Sequence, residues 1–197
     1  MLPFSEACER NKGPILEILT RAMANSSAVL EIGSGTGQHA VHFARHLAHL
    51  TWQPTERAEN LPWLAARVAA EGPSNLRPPL ELDVAHRVWP AVACDVVFSA
   101  NTLHIMSWPE VEAFFRGIGR VLGPGGRLVV YGPFRRGGAY TSDSNALFDQ
   151  SLRARDPESG LRDLESVDRL AAGVGLGLEA DHPMPANNDT LVWRRTG

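Results

Sequence analysis

The stretch Val29–Ala40, VLEIGSGTGQHA, decides the fold. Its leading apolar residues read as a buried strand, and a helical pattern begins at Gln38. Between them Gly33, Gly35 and Gly37 occupy alternate positions. Glycines there let the backbone turn tightly and approach a ligand with no Cβ in the way. The dinucleotide fingerprint GxGxxG would put its third glycine at position 38, which is Gln38 here. The phosphate-binding pattern GxxxxGK followed by Ser or Thr is absent. What remains is an acid, Glu31, followed by GxGxG directly after a strand. Such a loop, which includes Ser34, suits a ligand without a pyrophosphate. Glu31 offers an acceptor to an ammonium group, directly or through water.

Outward from this loop, short apolar runs alternate with amphipathic stretches. Strands are expected at 28–32, 50–53, 76–82, 95–99 and 127–131, and helices at 38–47, 61–70 and 108–122. Pro78 and Pro79 weaken the third strand. This alternation predicts an α/β fold with a parallel sheet covered by helices on both faces. After a helix at 164–172, strands at 176–181 and 190–194 follow with only about eight residues between them. A parallel crossover needs about a dozen or more, so the last strand of seven should run antiparallel. The chain of 197 residues fits one domain, 1–197. Residues 1–27 are expected to form a helical N-terminal segment. Residues 132–160 are expected to form an insertion after the fifth strand, with a short helix near 145–153, read either as a substrate-side element or as a surface excursion.

Apolar residues make up 44% and charged residues 21%, the balance of a soluble globular chain. A formal net charge of −3 argues against a protein built to grip nucleic acid. The two cysteines, Cys8 and Cys94, form no framework, which suggests a reducing cytoplasm. No secretory signal or run long enough to span a membrane is visible. The oligomeric state is not readable from the sequence.

Two further acids belong with the glycine loop. Glu56 lies 19 residues after Gly37 at the end of the second strand, where a carboxylate accepts from both ribose hydroxyls. Asp83, followed by Val84, ends the third strand where a purine amino group would be read. Each has an ordinary alternative, a solvated glutamate and a helix cap respectively.

With these residues in view, the chain resembles the Rossmann-like S-adenosylmethionine-dependent methyltransferases. The likeness rests on LEIGSGTG, Glu56, Asp83, CDVVFSANTLHI, LGPGGRLVVYGPF and the terminal hairpin. It also resembles a narrower family, the proteins of domain of unknown function 938. That likeness rests on EACERNKGPIL, GSGTGQHA, WQPTE, SNALFDQSLRARDPESGLRD and MPANN, and covers nearly the whole chain. Glu56 departs from the aspartate expected after WQP but keeps the carboxylate. The resemblance implies a methyltransferase fold and S-adenosyl-L-methionine as cofactor. It names no substrate.

The methyl group of that cofactor is already activated, so the protein has to align an acceptor and exclude water. Ligands in open α/β sheets bind beyond the C-terminal strand ends. There, after the fourth strand, stand Asn101 on the cofactor side and His104 as a candidate general base. Tyr131 ends the fifth strand and is the second catalytic candidate. Arg10, Lys12, Asn145 and Asn187 are the substrate-binding candidates, the first two because related folds cover the site with an N-terminal helix. His39, His42, His46 and His49 make a stripe along one helix rather than a converging cluster, so no metal is expected. The reading is methyl transfer to a small-molecule acceptor. A non-catalytic cofactor-binding module is the main alternative, and a NAD(P)-dependent oxidoreductase a weaker one.

Overall fold

The computed structural model describes residues 2–196. Seven strands form one sheet in the order β3-β2-β1-β4-β5-β10-β9. They are β1 (Ala28–Ile32), β2 (Thr51–Glu56), β3 (Leu80–Glu81), β4 (Cys94–Ala100), β5 (Leu122–Gly132), β9 (Leu176–Met184) and β10 (Asn188–Arg195). The chain divides after Ser99 into two compact units.

In the first unit, β1 pairs in parallel with β2 on one side and β4 on the other. Helices α1 (Glu6–Ala22), α2 (Gln38–His46) and α3 (Leu61–Glu71) complete it. Phe43 of α2, Trp52 of β2 and Phe98 of β4 pack ring against ring, with centroids 5.5–5.9 Å apart. All three are fully buried, and they clamp α2 onto the sheet. This fixes the two ends of the glycine loop that joins β1 to α2. The third strand is shorter than its apolar pattern suggests. Leu76 makes one isolated bridge to Trp52, and Pro78 and Pro79, which have no N–H to donate, delay regular pairing until Leu80.

In the second unit, α4 (Trp108–Val121) opens with a reciprocal cap between Ser107 and Glu110. Strand β5 begins directly after it, so the GPGG segment belongs to the strand as well as ending the helix. Strand β10 runs antiparallel to both β5 and β9, as the short final connection requires. That connection is a 3-10 turn, Pro185–Asn187, in which Ala186 and Asn187 adopt left-handed φ values of 58° and 56°. Helix α6 (Leu164–Gly173) joins this core through Asp168, which accepts from the indole of buried Trp193 at 2.8 Å.

The insertion is more regular than a surface excursion. It contains β6 (Phe134–Arg136), β7 (Ala139–Tyr140) and α5 (Asp143–Arg155). With β8 (Arg162–Asp163) it builds a second, three-stranded sheet in the order β7-β6-β8. The parallel β6–β8 pairing spans more than twenty residues of chain, which hides it from local sequence patterns. Among the described residues no helix is long and apolar enough to cross a membrane.

Candidate functional site

In the first unit, Gly33, Gly35 and Gly37 all take left-handed conformations, with φ of 73°, 54° and 77°. The Ser34 N–H donates to the carbonyl of Thr55 at 3.0 Å, and the Gly37 N–H closes the turn onto Ser34 at 2.9 Å. A Cβ on Gly37 would lie 2.8 Å from Leu64 Cδ1, so α3 needs glycine there. A Cβ on Gly35 would meet nothing within 4 Å. The loop therefore presses against α3 at one glycine and leaves open space at the other.

Two buried carboxyls serve this loop. Glu56 accepts from the Gly35 N–H at 2.7 Å and from the Arg57 N–H at 2.9 Å. Glu31 accepts from the Trp52 indole at 2.7 Å and is 2% exposed. Burial, with a smaller contribution from the nearby Glu56 charge, pushes its pKa up to about 7, while the Trp52 and Ser34 side chains pull the other way. Glu31 thus has a buried hydrogen-bond partner inside the fold. Asp83 caps its own turn, accepting from the Ala85 N–H at 2.8 Å, and its other oxygen lies 3.7 Å from Arg57 Nε. Val84 beside it is buried.

The N-terminal segment is bound to this loop by residues that sequence reasoning had not placed in the site. The Gln38 amide accepts from the Ser5 N–H at 2.6 Å and from the Thr36 hydroxyl at 3.0 Å. It donates to Glu9 at 2.7 Å and to the Ser5 carbonyl at 3.3 Å. Arg67 of α3 is buried, and it donates from Nε to the Thr36 carbonyl and from Nη2 to the Pro3 carbonyl, each at 2.6 Å. The signal for Gln38 was its place where a dinucleotide enzyme carries glycine. Arg67 gave none, because a helical arginine ordinarily faces water. Arg10 is exposed and, among the described residues, pairs with Glu6, while Lys12 pairs with Glu9. The four histidines of the stripe do not converge. His39 bonds Asn11 at 2.7 Å, His46 the carbonyl of His42 at 2.8 Å, and His49 the carbonyl of Met23 at 3.2 Å.

In the second unit, the loop after β4 carries Asn101 with φ of 58°, and its N–H donates to the Tyr131 carbonyl at 2.8 Å. A Cβ on Gly132 would lie 3.8 Å from His104 Nδ1 and 3.9 Å from Asn101 Oδ1, so these three residues meet. His104 is 6% exposed, and Phe148 of α5 packs edge-on against its ring at 5.3 Å. Burial, and secondarily the Arg162 charge, lowers its pKa to about 4. The imidazole is neutral across the physiological range. Tyr131 is buried in β5 opposite Thr190. Asn145 is buried too, donating to the Thr141 hydroxyl and the Asn187 carbonyl, each at 2.9 Å. Asn187 returns a bond to Ser144 at 3.1 Å. The apolar side chains of Ile105, Leu147 and Phe148 are exposed.

A family model described as "Protein of unknown function (DUF938)" matches residues 2–195. Among solved structures, an O-methyltransferase family protein from Burkholderia thailandensis superposes with a TM-score of 0.84 at 17% identity, over 98% of this chain and 58% of that one. Human N-acetylserotonin methyltransferase, solved in complex with S-adenosylmethionine, gives 0.83 at 14% identity, over 98% and 53%. An O-methyltransferase family 2 protein from Planctomyces limnophilus, in complex with apigenin, gives 0.80 at 19% identity, over 94% and 56%. The chain spans little more than half the length of these proteins. At such identities the likeness shows a shared fold, the Rossmann-like α/β fold of methyltransferases.

Proposed function

We propose, from the premise that this chain belongs to the DUF938 family, that it transfers a methyl group from S-adenosyl-L-methionine to a small-molecule acceptor. The observation that carries the reading is the left-handed glycine loop at the end of β1, served by the buried Glu31 and Glu56 carboxyls. Open space at Gly35 and two acids at one loop suit a ligand with an ammonium, a pair of vicinal hydroxyls and no pyrophosphate. Bound S-adenosylmethionine would supply a methyl group already activated by its sulfonium.

The residues of the first unit bind. Glu31 takes the ammonium, directly or through water, and must ionise to do so. Glu56 accepts from the ribose hydroxyls with the lone pairs that Gly35 and Arg57 leave free. Ser34, Gly33, Gly35 and Gly37 supply the loop backbone. Asp83 and Val84 form the purine end; Asn101, the remaining cofactor-binding candidate, belongs to the second unit. In the second unit His104 is the acceptor-side base. Its lowered pKa keeps it unprotonated, so it accepts a hydrogen bond from the O–H or N–H that is to be methylated. It would take that proton, while bound S-adenosylmethionine would supply the methyl group and leave as S-adenosylhomocysteine. Tyr131 and Asn145 orient the acceptor, and Phe148 offers it an apolar face. The fit is weaker for Arg10, which faces solvent, than for Lys12 and Asn187.

Calorimetry against S-adenosylhomocysteine and NAD, followed by a metabolite-extract screen for S-adenosylhomocysteine release, tests the reading. Binding of S-adenosylhomocysteine but not NAD, with release dependent on extract, is the expected result. Binding without release from any extract favours a non-catalytic module, and NAD binding alone an oxidoreductase.

A further inference from the structure

The segment ESGLR, Glu158–Arg162, runs beside the loop that carries His104 and holds it carbonyl by carbonyl. Arg162 Nε donates to Leu103 at 2.9 Å. The Gly160 N–H donates to His104 at 2.8 Å. The Ser159 hydroxyl donates to Ile105 at 3.2 Å, and Arg162 Nη2 donates to Met106. Four successive carbonyls are thus occupied by donors from one five-residue segment. Arg162 Nη2 also reaches the Glu158 carbonyl at 2.9 Å, which folds the segment onto its own arginine.

Helix α5 backs this arrangement. Asp149, 2% exposed, accepts from the Leu161 N–H at 2.6 Å and from the Tyr140 hydroxyl and Arg153 Nε, each at 2.8 Å. Gly160 has φ of 143°, and a Cβ there would lie 2.8 Å from Asp149 Oδ1 and 2.5 Å from Arg153 Nη2. Only glycine lets the segment pass. Phe148, next to Asp149 on the helix, is the residue that packs against the His104 ring.

Arg162 is 8% exposed, and no carboxylate pairs with it among the described residues. Burying a guanidinium against carbonyls alone is costly, and a neutral side chain would be cheaper for stability. What a neutral side chain lacks is the rigid fork that reaches two carbonyls of one loop at once. The buried His104 ring, in contrast, shows no hydrogen bond among the described residues, and Phe148 packs edge-on against it.

We infer that Arg162 is a positioning residue for His104, and that ESGLR is the template that sets where the imidazole points. The inference rests on the reading of His104 as the acceptor-side base. The charged groups around this loop are Arg162 and Glu158 from the template, Asp149 with Arg153 from α5, Arg135 from β6, and Asp156, which Ser159 reaches at 3.4 Å. Of these only the Arg162 charge adds to burial in lowering the His104 pKa, so the template also helps hold the ring neutral.

The test is a histidine NMR titration of the full chain as wild type, Arg162→Met and Arg162→Lys, with the His104 signal assigned by His104→Gln. Arg162→Met is expected to move the His104 signal and to raise its pKa, since the Arg162 charge is the lesser of the two causes that lower it. Arg162→Lys is expected to restore the pKa but not the signal position, because an ammonium supplies charge without the fork. Turnover with the acceptor, once identified, should fall about 10²-fold in both variants, as misplacement of a reacting group by about 1 Å can cost. A folded Arg162→Met protein with an unchanged His104 signal and pKa would overturn the inference. Should Arg162→Met not fold, an unchanged His104 signal in Arg162→Lys overturns it equally. Calorimetry with S-adenosylhomocysteine on the same samples separates the two ideas. Failure of the wild type to bind defeats the methyl-transfer reading, while the titration still decides the positioning role.

Discussion

Replacing Glu31 by Gln should stabilise the ligand-free protein at neutral pH and remove a specific part of its pH dependence. Glu31 is buried beneath the glycine loop, and its pKa rises from 4.5 to about 7. A raised carboxyl pKa means the native state binds a proton more tightly than the unfolded chain does. That contribution is fully present below pH 4.5, declines as the pH rises toward 7 and is gone above it. Each tenfold in proton affinity is about 1.4 kcal/mol, so the whole change is about 3 kcal/mol. Gln at position 31 keeps an oxygen for the Trp52 indole, which now donates at 2.7 Å, and never ionises. Urea unfolding of both proteins between pH 4 and 8 measures the difference. The variant is expected to gain about 3 kcal/mol on the wild type between pH 4.5 and 7, with no further change above. A difference that stays flat across this range would refute the argument, because it would mean that Glu31 titrates alike in the folded and unfolded chain. The same reasoning predicts that ligand binding near pH 6 releases a proton as Glu31 ionises beside the ammonium. Calorimetry in buffers of different ionisation enthalpy reads that release.

Glu56→Ala should weaken S-adenosylhomocysteine binding about tenfold or more, since charge-assisted hydrogen bonds contribute about 1.5–3 kcal/mol each. Its circular dichroism should be unchanged, and unchanged affinity would show the carboxylate serves only the loop. Gly37→Ala combines a left-handed φ with a contact of 2.8 Å to Leu64, and should cost about 1–3 kcal/mol in denaturant unfolding. Gly35→Ala meets no neighbour and should lose less stability while impairing the ligand site. Arg67→Met frees the Thr36 and Pro3 carbonyls, and should raise amide exchange in residues 3–12 and speed S-adenosylhomocysteine dissociation. Unaltered exchange in that segment would show that Gln38 alone holds it.

The sequence by itself determined the strands and helices of the main sheet, the glycine loop and the antiparallel last strand, but not the small β7-β6-β8 sheet. These are local matters. Apolar runs, left-handed glycines and a connection too short for a crossover are all written within a few residues of where they act. Loop position also brought Asn101, His104 and Tyr131 into view, because strand ends are legible from the strands. Only the tertiary structure decided which side chains these residues meet. Glu31 is held by Trp52, more than twenty residues away in the chain, and its raised pKa is a property of burial rather than of the motif. Gln38 and Arg67 bind the N-terminal segment through pairings 33 and 64 residues apart, and neither residue type announces such a partner. The ESGLR template reads as a polar turn until Arg162 is seen to hold carbonyls 56 and 59 residues earlier in the chain. Hydrogen bonds of that range depend on how the chain closes on itself, and no local periodicity records them.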